Sequence, residues 1–239
     1  MYVSKKSKYT IRYVGESYSS FLFDINSNEK RTSLLGLPIL RNTIQLSNLL
    51  GLSIPEIRFI TYHEKLSSVD HYHRYSVPKR NGGVRQLAAP KPLVKRAQRA
   101  ILDKILRKIN IPDLAHGFIQ GRSILTNANK HLYKPEIIIK MDIKDFFPSI
   151  TFERVRGMFH FFGYSGYIST LLAMICTDAN RIPFQQDGKR YFLATSKRYL
   201  PQGSPASPMI SNIICLKMDK RLNGLAETFF SDILDMLMI

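Results

Sequence analysis

Residues 140–149 read Lys-Met-Asp-Ile-Lys-Asp-Phe-Phe-Pro-Ser, and this stretch decides our prediction of the fold. The β-branched run Ile137–Ile139 before it is typical of a buried strand, which would end at Asp142 and be stopped by Pro148. A carboxylate at the end of a buried strand is well placed to bind Mg²⁺ for phosphoryl transfer. A turn or capping aspartate would give the same pattern, so this motif alone leaves both interpretations open.

A second motif, Tyr199-Leu-Pro-Gln-Gly-Ser-Pro-Ala-Ser-Pro208, opens a long apolar-periodic segment that runs through Leu225. In this order and at this separation, the two motifs resemble the palm of reverse transcriptases. More narrowly, Asn127-Ala-Asn-Lys-His131 resembles the Asn-Ala-x-x-His element of bacterial retron-type enzymes. The resemblance covers roughly residues 35–227, and its motifs are specific as a set although each is weak alone.

The resemblance implies an α+β fold made of the fingers and a partial palm of a right-hand polymerase, with the thumb absent. The palm would be a small antiparallel sheet with helices packed on one face. We expect four segments: an N-terminal polar and helical extension (residues 1–60), fingers (61–135), an incomplete palm (136–227) and an aberrant tail (228–239).

Local patterns predict the elements of this fold. Apolar spacing and capping residues predict helices that begin at Ser53, Pro92, Thr151, about Tyr167 and about Ser207. Turn residues predict two hairpins, with turns at Asn81–Gly83 and at Asp187–Gly188. The last helix is expected to bury one face formed by Ile210, Ile214, Met218, Leu222 and Leu225.

The charge of the chain points to a polyanionic partner. Of its 239 residues, 35 are Lys or Arg and 18 are Asp or Glu, which gives a formal net charge of +17. Residues 79–108 hold ten basic residues and one acid, Asp103. A basic run can be a solvated face, but a surplus of this size favours nucleic acid, bound in a salt-dependent way.

The cysteines and the apolar segments bear on location. Cys176 and Cys215 lie in apolar helical patterns, which indicates small core residues in a reducing compartment and not a disulfide or a metal pair. The first eight residues lack the apolar stretch of a signal peptide, and no segment reaches the roughly 18 apolar residues of a membrane span. We therefore expect a soluble, cytoplasmic protein.

The resemblance implies two-metal chemistry, with two Mg²⁺ ions in an intact enzyme. Asp142 matches the first metal-binding aspartate of the family and is the expected catalytic residue. The backbone carbonyl of Ile143 would be a second ligand, because Mg²⁺ takes carbonyl oxygens readily. Asp145 would lie beside the triphosphate, although a turn carboxylate is an equally good interpretation.

Several further residues match nucleotide-binding positions of the family. Phe147 matches the steric gate that crowds the sugar 2′ position, although an aromatic residue in a buried motif is more often core. Gln202 and Gly203 match a nucleotide-contacting pair, and glycine lets the backbone approach closely. Lys79 and Arg85 flank the first hairpin, where they would grip the triphosphate or hold the template backbone.

Nucleic-acid contacts are expected elsewhere. Arg122 lies in the family-like loop His116–Ser123, which would touch the template strand. Asn127 and His131 would contact RNA or brace the structure locally. The basic helix from Pro92 adds three candidates, which are Lys95, Arg96 and Arg99. His71-Tyr-His73 lacks the further ligands that a zinc site needs.

One part of the family pattern is missing. In the family, a hairpin after the last helix brings two adjacent aspartates beside the first, but these 239 residues contain no Asp-Asp pair. As written, we expect the chain not to polymerise. Codons for residues 231–239, read in a neighbouring frame, permit Arg-Tyr-Thr-Arg-Tyr-Ala-Asp-Asp. We therefore expect a frameshift near residues 227–230, although the ambiguous triplets also allow a chance match.

The resemblance implies a retron-type reverse transcriptase that copies a structured non-coding RNA into DNA from an RNA primer and deoxynucleoside triphosphates. It also implies an RNA–DNA product, an effector protein as partner, and a role in defence against phage. One alternative is a catalytically dead RNA-binding module, which would bind RNA in a salt-dependent way without extension. A second is a group II intron or diversity-generating enzyme, against which the Asn127–His131 element argues.

Overall fold

The computed structural model describes residues 26–62, 65–78, 82–129, 132 and 141–229. The helices are α1 (Glu29–Leu34), α2 (Thr43–Leu50), α3 (Ile54–Thr61), α4 (Pro92–Lys104), α5 (Ile124–Asn129), α6 (Phe146–Ser149), α7 (Phe152–Phe161), α8 (Gly166–Cys176) and α9 (Ser207–Phe229). The strands are β1 (Leu66–Ser67), β2 (Tyr72–Pro78), β3 (Val84–Pro90), β4 (Arg181–Gln186) and β5 (Lys189–Ala194), all paired antiparallel. This mixture agrees with the predicted α+β class. In the described parts of the chain, every helix is too short or too polar to cross a lipid bilayer.

The first three helices are part of the common core. The Thr32 hydroxyl on α1 is buried and donates to the Phe162 carbonyl at 3.0 Å, which ties α1 to the end of α7. Leu46 on α2 and Ile57 on α3 are buried completely or almost so. Helix α3 begins with a capping box, in which Ser53 and Glu56 satisfy each other's backbone N–H groups. The helix start predicted at Ser53 is therefore confirmed.

The first predicted hairpin is present as β2 and β3. Its register runs from the Tyr72–Pro90 pair to the Pro78–Val84 pair. Gly82 and Gly83 both take a positive φ near the predicted turn, a conformation that glycine adopts without steric cost. Local turn chemistry was sufficient to predict this element because both strands are close in sequence.

The second predicted hairpin, β4 and β5, forms a three-stranded sheet with β1 in the order β1-β5-β4. Leu66 pairs with Leu193, so the segments expected to form the fingers and the palm share this sheet. The prediction that helices cover one face of the sheet is wrong for β4, which buries none of its side chains. The apolar core lies between helices instead, because the fully buried large side chains come mainly from them.

Helices α7 and α8 form the centre of that core. The Thr151 side chain caps α7 as predicted, and Val155 and Phe159 are fully buried. In α8 every residue except Tyr167 is buried. Cys176 and Cys215 are both free and buried, so their assignment as core residues is confirmed. Burial raises the pKa of the Cys215 thiol to about 11.

Helix α9 begins at Ser207 as predicted, but its buried face differs from the predicted one. Leu225 is 53% exposed, so its assignment to the buried face is wrong. Cys215, Asp219 and Ala226 are buried in its place. Periodicity placed Leu225 inside because leucine is usually buried, whereas the packing partners of α9 select a face that includes a carboxylate.

The buried Asp219 gives the protein a specific pH dependence. Burial raises the pKa of Asp219 to about 6, and its Oδ1 has no hydrogen-bond partner among the described residues. The folded state then binds the proton more tightly than the unfolded chain, so stability should fall between about pH 4 and about pH 6 and then level off. Asp219→Asn should abolish this fall and raise the free energy of unfolding at neutral pH by about 1–3 kcal/mol. Urea unfolding at several pH values tests this, with the exposed Glu153→Gln as control. The same slope in Asp219→Asn would contradict it.

Candidate functional site

The segment after residue 141 is an exposed loop that enters a one-turn helix. Asp142 and Ile143 are exposed, and Met141 is not part of a strand. Asp145 takes a left-handed conformation with φ 50°, and its carbonyl accepts from the Ser149 N–H at 2.9 Å to open α6. Residues 137–140 lie outside the described residues, so the predicted strand before Asp142 stays a prediction.

Phe147 in α6 is half-buried. It packs with Phe146 against the apolar core, and the two rings meet edge-on with centroids 5.6 Å apart. The ring therefore has an anchored side and a side that reaches solvent. This placement is compatible with a gate that a core residue holds in position.

A short antiparallel pairing brings the two sequence motifs together. The Leu200 N–H donates to the Ile150 carbonyl at 2.9 Å, and the Phe152 N–H donates to the Arg198 carbonyl at 3.1 Å. Phe147 lies three residues before this pairing, and Gln202 lies two residues after it. The pairing therefore places α6 beside the start of the loop of residues 201–207.

The 201–207 loop is also attached to the β2–β3 hairpin. The Ala88 N–H in β3 donates to the Gln202 carbonyl at 2.8 Å. Gly203 has φ 115°, and a Cβ atom placed on it would lie 2.9 Å from the Ala88 carbonyl oxygen. Glycine is therefore required at position 203, both for its backbone conformation and for the close approach to β3.

The hairpin brings one predicted cation to this place. Arg85 lies three residues before Ala88 on β3, is exposed, and forms no ion pair with a described residue. Lys79 lies outside the described residues. The structure thus brings together four predicted site residues, namely Arg85, Phe147, Gln202 and Gly203, and Asp142 leads into the same α6 turn.

A buried ion-pair network at the base of the hairpin was missed by our sequence analysis. Arg74 on β2 donates to Asp70 from Nε at 2.8 Å and to Asp178 from Nη2 at 2.5 Å. Both carboxylate residues are buried, with Asp70 6% and Asp178 5% exposed. The Asp70–Arg74 spacing is a weak local signal, but nothing in the sequence links residue 74 to residue 178.

A second buried arginine holds the strand that pairs with Ile150. Arg198 is 6% exposed and donates to the Met174 carbonyl at 2.6 Å and to the Thr177 hydroxyl at 3.2 Å. These bonds attach the start of the second motif to the end of α8. Arg74 and Arg198 therefore fix the two sides of the candidate site from below.

The loop that contains Arg122 has a bracing contact where we predicted a template contact. The Arg122 guanidinium donates to the carbonyls of Pro112 and Ala115, each at 2.6 Å, and to Asp113 at 2.6 Å. A fourth bond reaches the Ile111 carbonyl at 3.1 Å. Four of its five donors are used within the loop, which leaves little capacity for phosphate.

The retron-like element lies away from the 201–207 loop contacts. Asn127 in α5 is buried, and its Oδ1 has no hydrogen-bond partner among the described residues. His131 lies outside the described residues. For Asn127, burial agrees with the bracing interpretation better than with direct RNA contact.

The basic helix α4 divides its cations between two uses. Lys95 and Arg99 are exposed and form no ion pair with described residues. Arg96 pairs with Glu56 at 3.1 Å, and Lys104 donates to the Leu49 carbonyl at 2.6 Å. Part of the basic run is therefore structural, and Lys95 and Arg99 are the best placed to meet a polyanion.

Metal ligands are incomplete in the described part of the chain. There, no three His, Cys, Asp or Glu side chains lie close enough together to hold a metal ion. His71 contacts Phe59 edge-on at 4.9 Å, and burial lowers its pKa to about 4. Asp142 and the Ile143 carbonyl offer the hard oxygen ligands that suit Mg²⁺, but one carboxylate is not a full site.

Comparison with known proteins gives consistent matches. The sequence profile of the family described as "Reverse transcriptase (RNA-dependent DNA polymerase)" matches residues 77–236. The retron Mx162 reverse transcriptase of Myxococcus xanthus is 42% identical over 86% of this chain and 42% of its own length. The retron Mx65 reverse transcriptase of the same organism is 38% identical over 87% of this chain and 48% of its own length. The retron Ec86 reverse transcriptase of Escherichia coli is 33% identical, covering 83% and 56%. The chain thus spans about half the length of these relatives.

Proposed function

Because the chain belongs to the reverse transcriptase family of RNA-dependent DNA polymerases, we propose that it forms the template- and nucleotide-binding part of a retron-type enzyme. The predicted resemblance to retron-type members is confirmed by the relatives it matches. The reaction would copy a structured non-coding RNA into DNA from deoxynucleoside triphosphates. We place this reaction at the junction of α6, the 201–207 loop and the β2–β3 hairpin.

One observation carries the proposal. Three segments that are distant in sequence meet through backbone hydrogen bonds, from Leu200 to Ile150 at 2.9 Å and from Ala88 to Gln202 at 2.8 Å. A nucleotide needs a cation for its phosphates, a surface for its sugar and a backbone platform for its base pair. In this proposal Arg85 supplies the first, Phe147 the second and Gly203 the third.

Mg²⁺ would be held by Asp142 and by the backbone carbonyl of Ile143. When bound, two such ions lower the pKa of the primer hydroxyl and stabilise the leaving oxygen. Asp142 would orient the metal from its exposed loop, while Asp145, fixed by its left-handed turn, would shape the entry to α6. Further ligands would come from the triphosphate and from carboxylates outside the described residues.

RNA would be bound through the exposed cations of α4. The double variant Lys95→Ala/Arg99→Ala should weaken RNA binding by about tenfold and lower the slope of log affinity against log salt by about 2. Filter binding or fluorescence anisotropy across a salt series measures both quantities. A matched control, Lys30→Ala/Arg41→Ala, removes the same charge from α1 and the loop after it. Equal losses in the two double variants would show that net charge alone matters and contradict a site on α4.

Polymerase activity is tested by adding the segment that the relatives have beyond this region. A fusion joins residues 1–227 to the downstream part of the 42% identical relative. We expect the fusion to extend an RNA-templated primer in Mg²⁺, and Asp142→Asn to abolish extension while RNA affinity stays unchanged. The 239-residue chain alone, which has no Asp-Asp pair, should bind RNA without extending the primer.

The same experiment separates the alternative function. If the fusion binds RNA with the expected salt dependence but never extends the primer, the chain is an RNA-binding module and not a polymerase part. The natural partners we propose are a cognate structured RNA, its RNA–DNA product and an effector protein that acts in phage defence.

A further inference from the structure

Gln98 is a completely buried amide on the apolar side of α4. Its neighbours on that side, Ala97 and Ile101, are also fully buried. An amide taken out of water costs free energy unless its donors and acceptor are paired. A leucine or methionine would fill this position without that requirement, so the amide calls for a reason other than packing.

The Gln98 side chain joins three different elements. Its Nε2 donates to the Tyr72 hydroxyl on β2 at 2.9 Å and to the Ile175 carbonyl at the end of α8 at 2.8 Å. Its Oε1 accepts from the Ser204 hydroxyl at 2.9 Å. Both donors and the acceptor of the amide are therefore used, and each bond reaches a segment that borders the candidate site.

The bond to Ser204 has a defined direction. The Ser204 Oγ accepts from the Ala206 N–H at 3.3 Å, so its single proton is directed to Gln98 Oε1. The Gln98 amide cannot turn over without placing donor against donor at Tyr72 or at Ser204. This chain of hydrogen bonds holds the 201–207 loop at a fixed distance from α4 and from the β2–β3 hairpin.

We infer that Gln98 is a positioning residue, which acts through Ser204 to fix the Gln202–Gly203 backbone against the β2–β3 hairpin that carries Arg85. Its consequence for nucleotide binding rests on the proposed function, in which Arg85 and Gly203 contact the same nucleotide. Loss of the Gln98–Ser204 bond would let the loop move away from Ala88. The nucleotide platform and the phosphate-binding cation would then no longer keep a fixed separation.

Hydrogen exchange of the Ala88 N–H tests the positioning directly, because this group donates to the Gln202 carbonyl. Gln98→Met keeps the side-chain volume and removes every hydrogen bond. We expect it to speed Ala88 exchange by about tenfold after correction for global stability. The matched control is Ile101→Val, which weakens the packing of the same helix at a fully buried residue without a contact to Ser204. An equal change in Ala88 exchange in both variants would overturn the inference.

A double-mutant cycle tests whether the effect passes through Ser204. Ser204→Ala should speed Ala88 exchange about as much as Gln98→Met, and the double variant should show no further increase. Additive effects of the two substitutions would show separate routes to the loop and overturn the assignment to the Gln98–Ser204 bond.

Nucleotide affinity supplies the functional readout. It is measured on the complex of the chain with an RNA template and a dideoxy-terminated primer, using the complementary deoxynucleoside triphosphate. Gln98→Met should weaken nucleotide binding by about tenfold with unchanged RNA affinity, and Ile101→Val should leave both unchanged. A lower unfolding midpoint in Gln98→Met with normal nucleotide affinity would overturn the inference. If the wild-type complex takes up no nucleotide, the proposed function fails, whereas Ala88 exchange still decides the positioning role.

Discussion

Replacing Arg74 with methionine is expected to lower the free energy of unfolding by about 3–5 kcal/mol. The substitution leaves Asp70 and Asp178 buried, at 6% and 5% exposure, without their shared guanidinium. A buried carboxylate without a partner costs far more than a surface one, because water cannot solvate it. Urea unfolding followed by circular dichroism measures the loss.

A surface pair in the same chain provides the control. Arg41 makes a similar two-point contact with Glu29, at 2.6 and 2.8 Å, but its side chain is 59% exposed. Arg41→Met should cost no more than about 1 kcal/mol. Burial raises the pKa of Asp178, so the deficit of Arg74→Met should shrink as pH falls and the carboxyl becomes neutral. A loss in Arg74→Met as small as in Arg41→Met would contradict this account.

Gly203→Ala is expected to destabilise the protein by about 2–4 kcal/mol and to weaken nucleotide binding by at least about tenfold. The new Cβ would lie 2.9 Å from the Ala88 carbonyl oxygen, and the backbone φ of 115° disfavours any side chain. Since the neighbouring atoms belong to the β3 backbone, the loop must move for the methyl group to fit. That movement would break the Ala88–Gln202 hydrogen bond and separate the loop from Arg85.

The contribution of strain can be separated from that of the clash. Gly51 ends α2 with φ 64°, and a Cβ atom there meets nothing within 4 Å. Gly51→Ala should therefore show the conformational cost alone, about 1–2 kcal/mol, with normal nucleotide binding. If Gly203→Ala behaves like Gly51→Ala in both measurements, the close approach to β3 has no functional role.

Elements controlled by neighbouring residues were predicted well from sequence. The β2–β3 hairpin follows from glycines at its turn, and α7 follows from the Thr151 cap and its apolar spacing. The buried face of α9 was predicted less well, because Leu225 is exposed and Asp219 is buried. A periodic pattern identifies a helix, but the partners that the helix meets decide which residues are buried.

The candidate site divides in the same way. The motifs around Asp142 and Gln202 and the residue types suited to phosphate and metal were recognisable from sequence alone. The attachments that position them were not, because Ala88–Gln202, Arg74–Asp178 and Gln98–Ser204 each join residues more than 100 positions apart. Such contacts have no local signal and form only when the whole core packs.

The arginines illustrate what each level determined. The sequence by itself determined that the chain is strongly basic and that its motifs are those of a reverse transcriptase. Only the tertiary structure decided that Arg85 is exposed at the site, that Arg122 braces its own loop, and that Arg74 pairs with buried carboxylates. The physical reason is that the use of a guanidinium depends on its burial and on the acceptors around it, and both are set by residues distant in sequence.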